Sequence, residues 1–210
     1  MTAAVATSSE IAHESGHAKG VAVAVVTQNK DEDGLCRVKV SYPWHDKPRE
    51  SYWARLAVPM AGAERGTVFI PEVGDEVLVG FEREDMRFPY VLGALWNGKE
   101  KPPLANDDGE NDKRIVKSRK KHYLLFDDGA KGVVELAHEN GAMVRFTDNE
   151  IELKDAQGNQ LKIEKSGSIT LQATTQLKIK AASISIEASG TLELKANATL
   201  TVRGALVNIN

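Results

Sequence analysis

LKIEKSGSITLQATTQLKIKAASISIEASGTLELKANATLTVRGALVNIN, residues 161–210, is the stretch that decides the fold. Its apolar residues come in pairs at i and i+2: Leu161/Ile163, Ile169/Leu171, Leu177/Ile179, Ile184/Ile186, Leu192/Leu194, Leu200/Val202 and Val207/Ile209. Successive pairs start 8, 8, 7, 8, 8 and 7 residues apart. Alternation with a period of two marks a short strand with one buried face. A near-constant step marks a repeat whose stacking completes a core that no single step can build. Together they predict a β-solenoid or β-prism with these residues as its core.

The period fits one chain coiled on itself as well as three chains wound together. Two features favour three. Two buried residues per step fill a thin triangular prism but not a wide single-chain coil, and no terminal helix or aromatic cap covers an open end. In a homotrimer each face takes strands from different chains, which satisfy one another's backbone groups. The outward positions Lys162, Glu164, Lys178, Lys180, Glu187, Glu193 and Lys195 keep the surface solvated. Their cross-strand ion pairs are worth only a few tenths of a kcal/mol each.

Composition separates this stretch from the rest. The 210 residues hold 27 Lys and Arg against 30 Asp and Glu, for a net charge of -3. No polybasic surface for nucleic acid or anionic lipid is expected. All seven prolines lie at or before Pro103, all three tryptophans at or before Trp96, and the last aromatic residue is Phe146. Proline would delete a ladder hydrogen bond, so its absence suits a β-prism. The one cysteine, Cys36, excludes an intrachain disulfide and a cysteine-based metal cluster. A polar, alanine-rich start predicts neither a signal peptide nor a membrane span.

The predicted class is all-β: an N-terminal OB-fold barrel followed by an intertwined triple-stranded β-helix. Residues 1–16 read as a flexible arm and 17–96 as the barrel. Residues 97–114 read as a linker, 115–160 as an irregular β base and 161–210 as the regular needle. Barrel strands are expected in 20–28, 36–44, 51–59, 66–71, 73–82 and 90–96, with a hairpin turn at 31–35. Five or six short strands in so few residues favour a small closed barrel. Val38, Val40, Trp44, Trp53, Phe69, Val77, Val79, Phe81 and Trp96 are expected in its core or at an interface. Weaker strand signals at 122–129, 132–141, 142–149 and 151–159 supply the base.

Catalysis is not expected. His13 and His17 flank Glu14 in the arm, a poor frame for a metal, and His45 sits in a Pro-rich turn. His122 and His138 occupy expected strand positions at the surface or an interface. Asp127/Asp128 and Asp107/Asp108 are adjacent carboxylates, and strand neighbours point opposite ways, so neither makes an acid/base pair. There is no nucleophile elbow, phosphate loop or dinucleotide fingerprint. No cofactor or metal is expected.

Four segments carry a resemblance: GLCRVKVSYPW at 34–44, SYWARLAVPMAG at 51–62, GTVFIPEVGDEVLVGFE at 66–82 and RFPYVLGALWNGKEKPP at 87–103. With the repeat that follows, the chain resembles the central spike proteins of contractile injection systems. These are phage baseplate assembly protein V, the gp5-like part of VgrG and the R-type pyocin spike. The resemblance implies a structural, membrane-piercing homotrimer, with a tail hub or baseplate protein at the barrel end and a PAAR-like tip protein at the C-terminal end. It further implies assembly in the cytoplasm, followed by incorporation into a phage tail-like or secretion particle that meets the target envelope on firing. Three departures from the family shape the expectation. No large hub domain precedes the barrel, no lysozyme-like domain separates barrel from prism, and no His-x-His pair lies near the end to bind apical iron. A separate hub and a separate tip are therefore expected.

Two other classes fit less well. A nucleic-acid-binding OB module with a trimerising tail would need aromatics interleaved with Lys and Arg, yet Arg83 and Arg87 are accompanied by Glu82, Glu84 and Asp85. A tailspike-like adhesin or polysaccharide-degrading β-helix would need aromatic subsites, and residues 147–210 contain no aromatic.

Overall fold

The computed structural model describes residues 18–45 and 50–209. The arm at 1–16, with His13, and the adjoining His17 lie outside the described residues. The chain divides into two compact units between Asp107 and Asp108.

The first unit is built on β1 (Val21–Gln28), β2 (Lys39–Ser41), β3 (Arg55–Leu56), β6 (Glu76–Phe81) and β7 (Pro89–Leu95), with a small hairpin of β4 (Ala61–Gly62) and β5 (Arg65–Gly66). The five long-range strands lie in the order β2-β1-β6-β7-β3. Only β3 and β7 run parallel. Antiparallel bridges Val38–Ala54 and Ser41–Glu50 join the two ends of that order. The mutual hydrogen bonds of Val38 and Ala54, at 3.0 and 2.7 Å, bring the sheet back on itself as a small Greek-key barrel.

Its core is aliphatic. Val26, Val38, Val40, Val77 and Val79 are fully buried, with Ala24, Ala54 and Val91 around them. Tyr42 is the aromatic ring that enters, and its hydroxyl donates to the Met86 carbonyl oxygen at 2.6 Å. The alternation Val38, Val40, Tyr42 places all three on one face. Trp44 and Phe81 pack against this cluster from its edge, and the Trp44 indole N–H donates to the Val23 carbonyl oxygen at 2.8 Å. Trp53 lies beneath Lys39 and Arg37, 5.1 and 5.7 Å from its ring centre.

Phe69 and Trp96 belong to no core, being 68% and 70% exposed. A five-stranded barrel has an interior that valine and alanine already fill. The expected strand at 66–71 is likewise reduced to β5, since most of that segment makes no ladder bonds.

The hairpin turn at 31–35 is tied by charge. Asp31 accepts from Arg37 Nε at 2.7 Å and Nη2 at 2.8 Å, and Arg37 also reaches Asp33. The Arg37 guanidinium holds the Asp31 carboxyl well below the usual carboxylate range. A lowered folded-state pKa stabilises the fold above the unfolded value and stops doing so as pH falls through the folded one.

The second unit is a seven-stranded antiparallel meander: β8 (Lys113–Lys117), β9 (Tyr123–Asp127), β10 (Val133–Ala137), β11 (Met143–Thr147), β12 (Glu150–Lys154), β13 (Gln160–Glu164) and β14 (Ile169–Gln172). Two features differ from the sequence expectation. The stretch 115–160 is a regular sheet rather than an irregular base, and that sheet continues through the first two repeat pairs to Gln172. In addition, Lys113 and Arg114, read as linker, open β8. Gly158 and Gly167, both at φ near +90, permit the turns before β13 and β14. The meander stops at Gln172.

The salt link at the 31–35 turn yields a pH test. The Tm difference between wild type and Asp31→Asn should be full near pH 5 and narrow towards pH 2, since an ordinary aspartate titrates at about 3.9. A pH-independent difference would remove the ion pair as its cause.

Candidate functional site

Registered pairing of β8 to β14 sorts the side chains of the second unit onto two faces. On one face, two rows cross all seven strands. The first is Arg114, Phe126, Val134, Phe146, Ile151, Ile163 and Ile169, and the second is Val116, Leu124, Leu136, Val144, Leu153, Leu161 and Leu171. Only Arg114 is polar. The Leu161/Ile163 and Ile169/Leu171 pairs of the repeat are thus opposite one another, Leu161 to Leu171 and Ile163 to Ile169.

This apolar face is the open one. Leu136, Leu153, Leu171 and Ile169 are 58%, 50%, 56% and 69% exposed. The opposite, polar face is closed over by its own side chains. Glu135 is 5% exposed beneath Tyr123, whose hydroxyl donates to its carboxylate, and Arg145, whose Nε lies 2.8 Å from Glu135 Oε2. The hydrogen bond to Glu135 pushes the Tyr123 phenol pKa upward. Further along, Lys162 bridges Glu150 at 2.8 Å and Glu164 at 3.2 Å, and the bond to Glu150 raises its pKa.

Beyond Gln172 the chain makes no strand with itself. Bends fall at 174–175, 182, 189–190, 197–198 and 205–206, near the eight-residue step. No backbone–backbone hydrogen bond within the chain joins residues 173–209. All ten remaining residues of the expected prism core are exposed: Leu177, Ile179, Ile184, Ile186, Leu192, Leu194, Leu200, Val202, Val207 and Ile209. Such a segment has both a backbone and an apolar surface to satisfy, and its own chain satisfies neither.

The titratable candidates are dispersed. His122 and His138 directly flank β9 and β10, with ring centres 4.2 Å apart, and their Nδ1 atoms accept the main-chain N–H groups of Glu139 and Asn140. Asp128 pairs with Arg114 on the apolar face, while Asp127 approaches Lys113 on the other. Among the described residues, no group of three or more His, Cys, Asp or Glu is placed to hold a metal ion.

Sequence reasoning missed that the base belongs to the same rows as the repeat. The signal was present: Leu124/Phe126, Val134/Leu136, Val144/Phe146 and Ile151/Leu153 are i, i+2 pairs too. Their steps of ten, ten and seven obscure a period that is regular only later.

Residues 22–96 match the family described as Type VI secretion system/phage-baseplate injector OB domain. Among similar proteins is the Type VI secretion system spike protein VgrG3 of Vibrio cholerae, 33% identical over 42% of this chain and 10% of its own length. The spike protein VgrG2a of Pseudomonas aeruginosa is 30% identical over 59% of this chain and 16% of its own. VgrG1c of the same organism is 36% identical over 40% and 13%. The chain therefore aligns to 10% to 16% of the length of these curated relatives.

The buried carboxylate predicts strong coupling. Glu135→Ala and Arg145→Ala should each lower stability by about 1–3 kcal/mol, and the double variant should cost clearly less than their sum. Urea unfolding of the four proteins checks this; additive losses would mean the pair acts separately.

Proposed function

We propose that three copies form the central spike of a contractile injection apparatus, since residues 22–96 match the Type VI secretion system/phage-baseplate injector OB domain family and the chain is similar to Type VI secretion system spike proteins. In this reading the needle expected at 161–210 winds three chains together as a β-prism from residue 173 onward, and the apolar face of the meander, with Leu161, Ile163, Ile169 and Leu171, packs inward at its base. The observation that carries it is the segment 173–209, with its recurrent apolar pairs exposed and no backbone–backbone hydrogen bonds within the chain. Threefold winding supplies both missing partners. Each neighbour's strand completes a ladder, and each apolar pair enters a core shared by three chains.

Energetics favour this over solvation. Burying a large aliphatic side chain is worth about 1.5–3 kcal/mol, against a few tenths for each exposed ion pair. Interwinding also suits axial load, because pulling the chains apart breaks many backbone bonds at once. The barrel serves as the base that meets a hub or baseplate protein, and a PAAR-like tip protein covers the last apolar layer and the open strand ends. The role is mechanical: piercing an envelope, with no catalytic step. No helix of the described residues is long and apolar enough to cross a membrane.

Sizing with light scattering tests the assembly. The chain should run as a trimer at micromolar concentration, and a monomer there would overturn the proposal. Ile186→Asp should lose trimer and solubility together, whereas Lys180→Ala should be nearly silent in both.

A further inference from the structure

The barrel unit holds a groove that the spike reading does not use. Its volume is about 580 Å3, and its lining is drawn from three stretches, Gly34 to Arg37, Arg55 to Gly62 and Arg65 to Phe69. That size lies within the ordinary range of ligand clefts. Leu35, Met60, Val68 and Phe69 give it exposed apolar walls, Phe69 being one of the rings the core leaves out.

Three arginines line these walls, and one of them, Arg37, is already paired with Asp31 and Asp33. Arg55 on β3 and Arg65 on β5 make no ion pair with any described acidic residue, unlike Arg37 and Arg87. The hairpin is built around Arg65. A Cβ at position 62 would come within 2.7 Å of Arg65 Nε, so glycine there leaves room for that side chain to lie across the β4–β5 turn. Gly66, at φ +145, would press a Cβ to 2.6 Å from the Met60 carbonyl oxygen. Gly66 thus closes the hairpin tightly, and Arg65 lines the groove beside it.

We propose that this groove docks an extended segment of a partner protein combining a bulky apolar side chain with neighbouring carboxylates. The apolar side chain fits against Met60, Val68 and Phe69. The carboxylates meet Arg55 and Arg65, whose guanidinium forks suit bidentate pairing. Charge selects this occupant. A wholly apolar segment would desolvate two guanidinium groups without partners, and a basic one would be repelled. The inference stands on the barrel unit and does not depend on the trimer.

Fluorescence anisotropy on the full chain tests it, with the labelled peptide GDDLFEG as probe and its neutral and basic counterparts GNNLFQG and GKKLFKG as controls. The acidic peptide should bind at micromolar concentration, at least about tenfold tighter than the neutral one, and weaken with added salt. Cys36, the chain's one cysteine, is exposed in the groove lining, so bound peptide should slow its reaction with a disulfide reagent. Arg55→Glu with Arg65→Glu should abolish both effects, and Phe69→Ser should weaken binding with the arginines intact. No binding below millimolar, no protection of Cys36, or equal binding by the charge-reversed variant would each overturn the proposal. So would a charge-reversed variant that changes oligomeric state yet still takes the peptide, since the groove would then be a contact between copies.

Discussion

An apolar sheet face left largely exposed by the described residues is the constraint on which the second unit depends. Thirteen of the fourteen positions in its two rows are apolar. A meander of seven strands solves its hydrogen bonding along the chain but cannot fold over to cover its own face. The polar face shows the contrast: Tyr123 and Arg145 close over Glu135 with no outside help. The sheet is therefore paired through its interior strands, open at the outer edges of β8 and β14, and incomplete in its core.

The tail from 173 onward carries the same deficit one step further. Hairpin turns let β12, β13 and β14 pair in succession, and these turns use glycine at positive φ. After β14 the chain no longer returns beside its last strand, and the ladder deficit joins the core deficit. A partner that supplies strands as well as apolar surface answers both. A second set of identical chains offers this, because its rows have the same spacing.

The barrel follows different physics. Its ladders close within the chain, its aliphatic core is filled, and its hairpins are fixed by the Asp31–Arg37 pair and by glycine at 66. What it leaves outside is selective. Phe69, Trp96, Arg55 and Arg65 are spared from the core or from ion pairing, and such groups on a closed scaffold are free to meet other molecules.

Much of this was written in the sequence. The i, i+2 pairs from Leu161 to Ile209 specify which residues share a face, because strand alternation is a local property. The turn chemistry of 31–35 and the proline boundary are local in the same way. Tertiary structure alone decided the rest. Whether an aromatic residue enters a barrel depends on the room left by strands distant in sequence, which is why Tyr42 is inside and Phe69 is not. Likewise, cross-strand register aligned Leu124 and Val134 with the rows of the repeat, although their unequal steps hid it. The sequence determined the pattern of apolar pairs, and the pairing of strands decided where a single chain stops being able to use it.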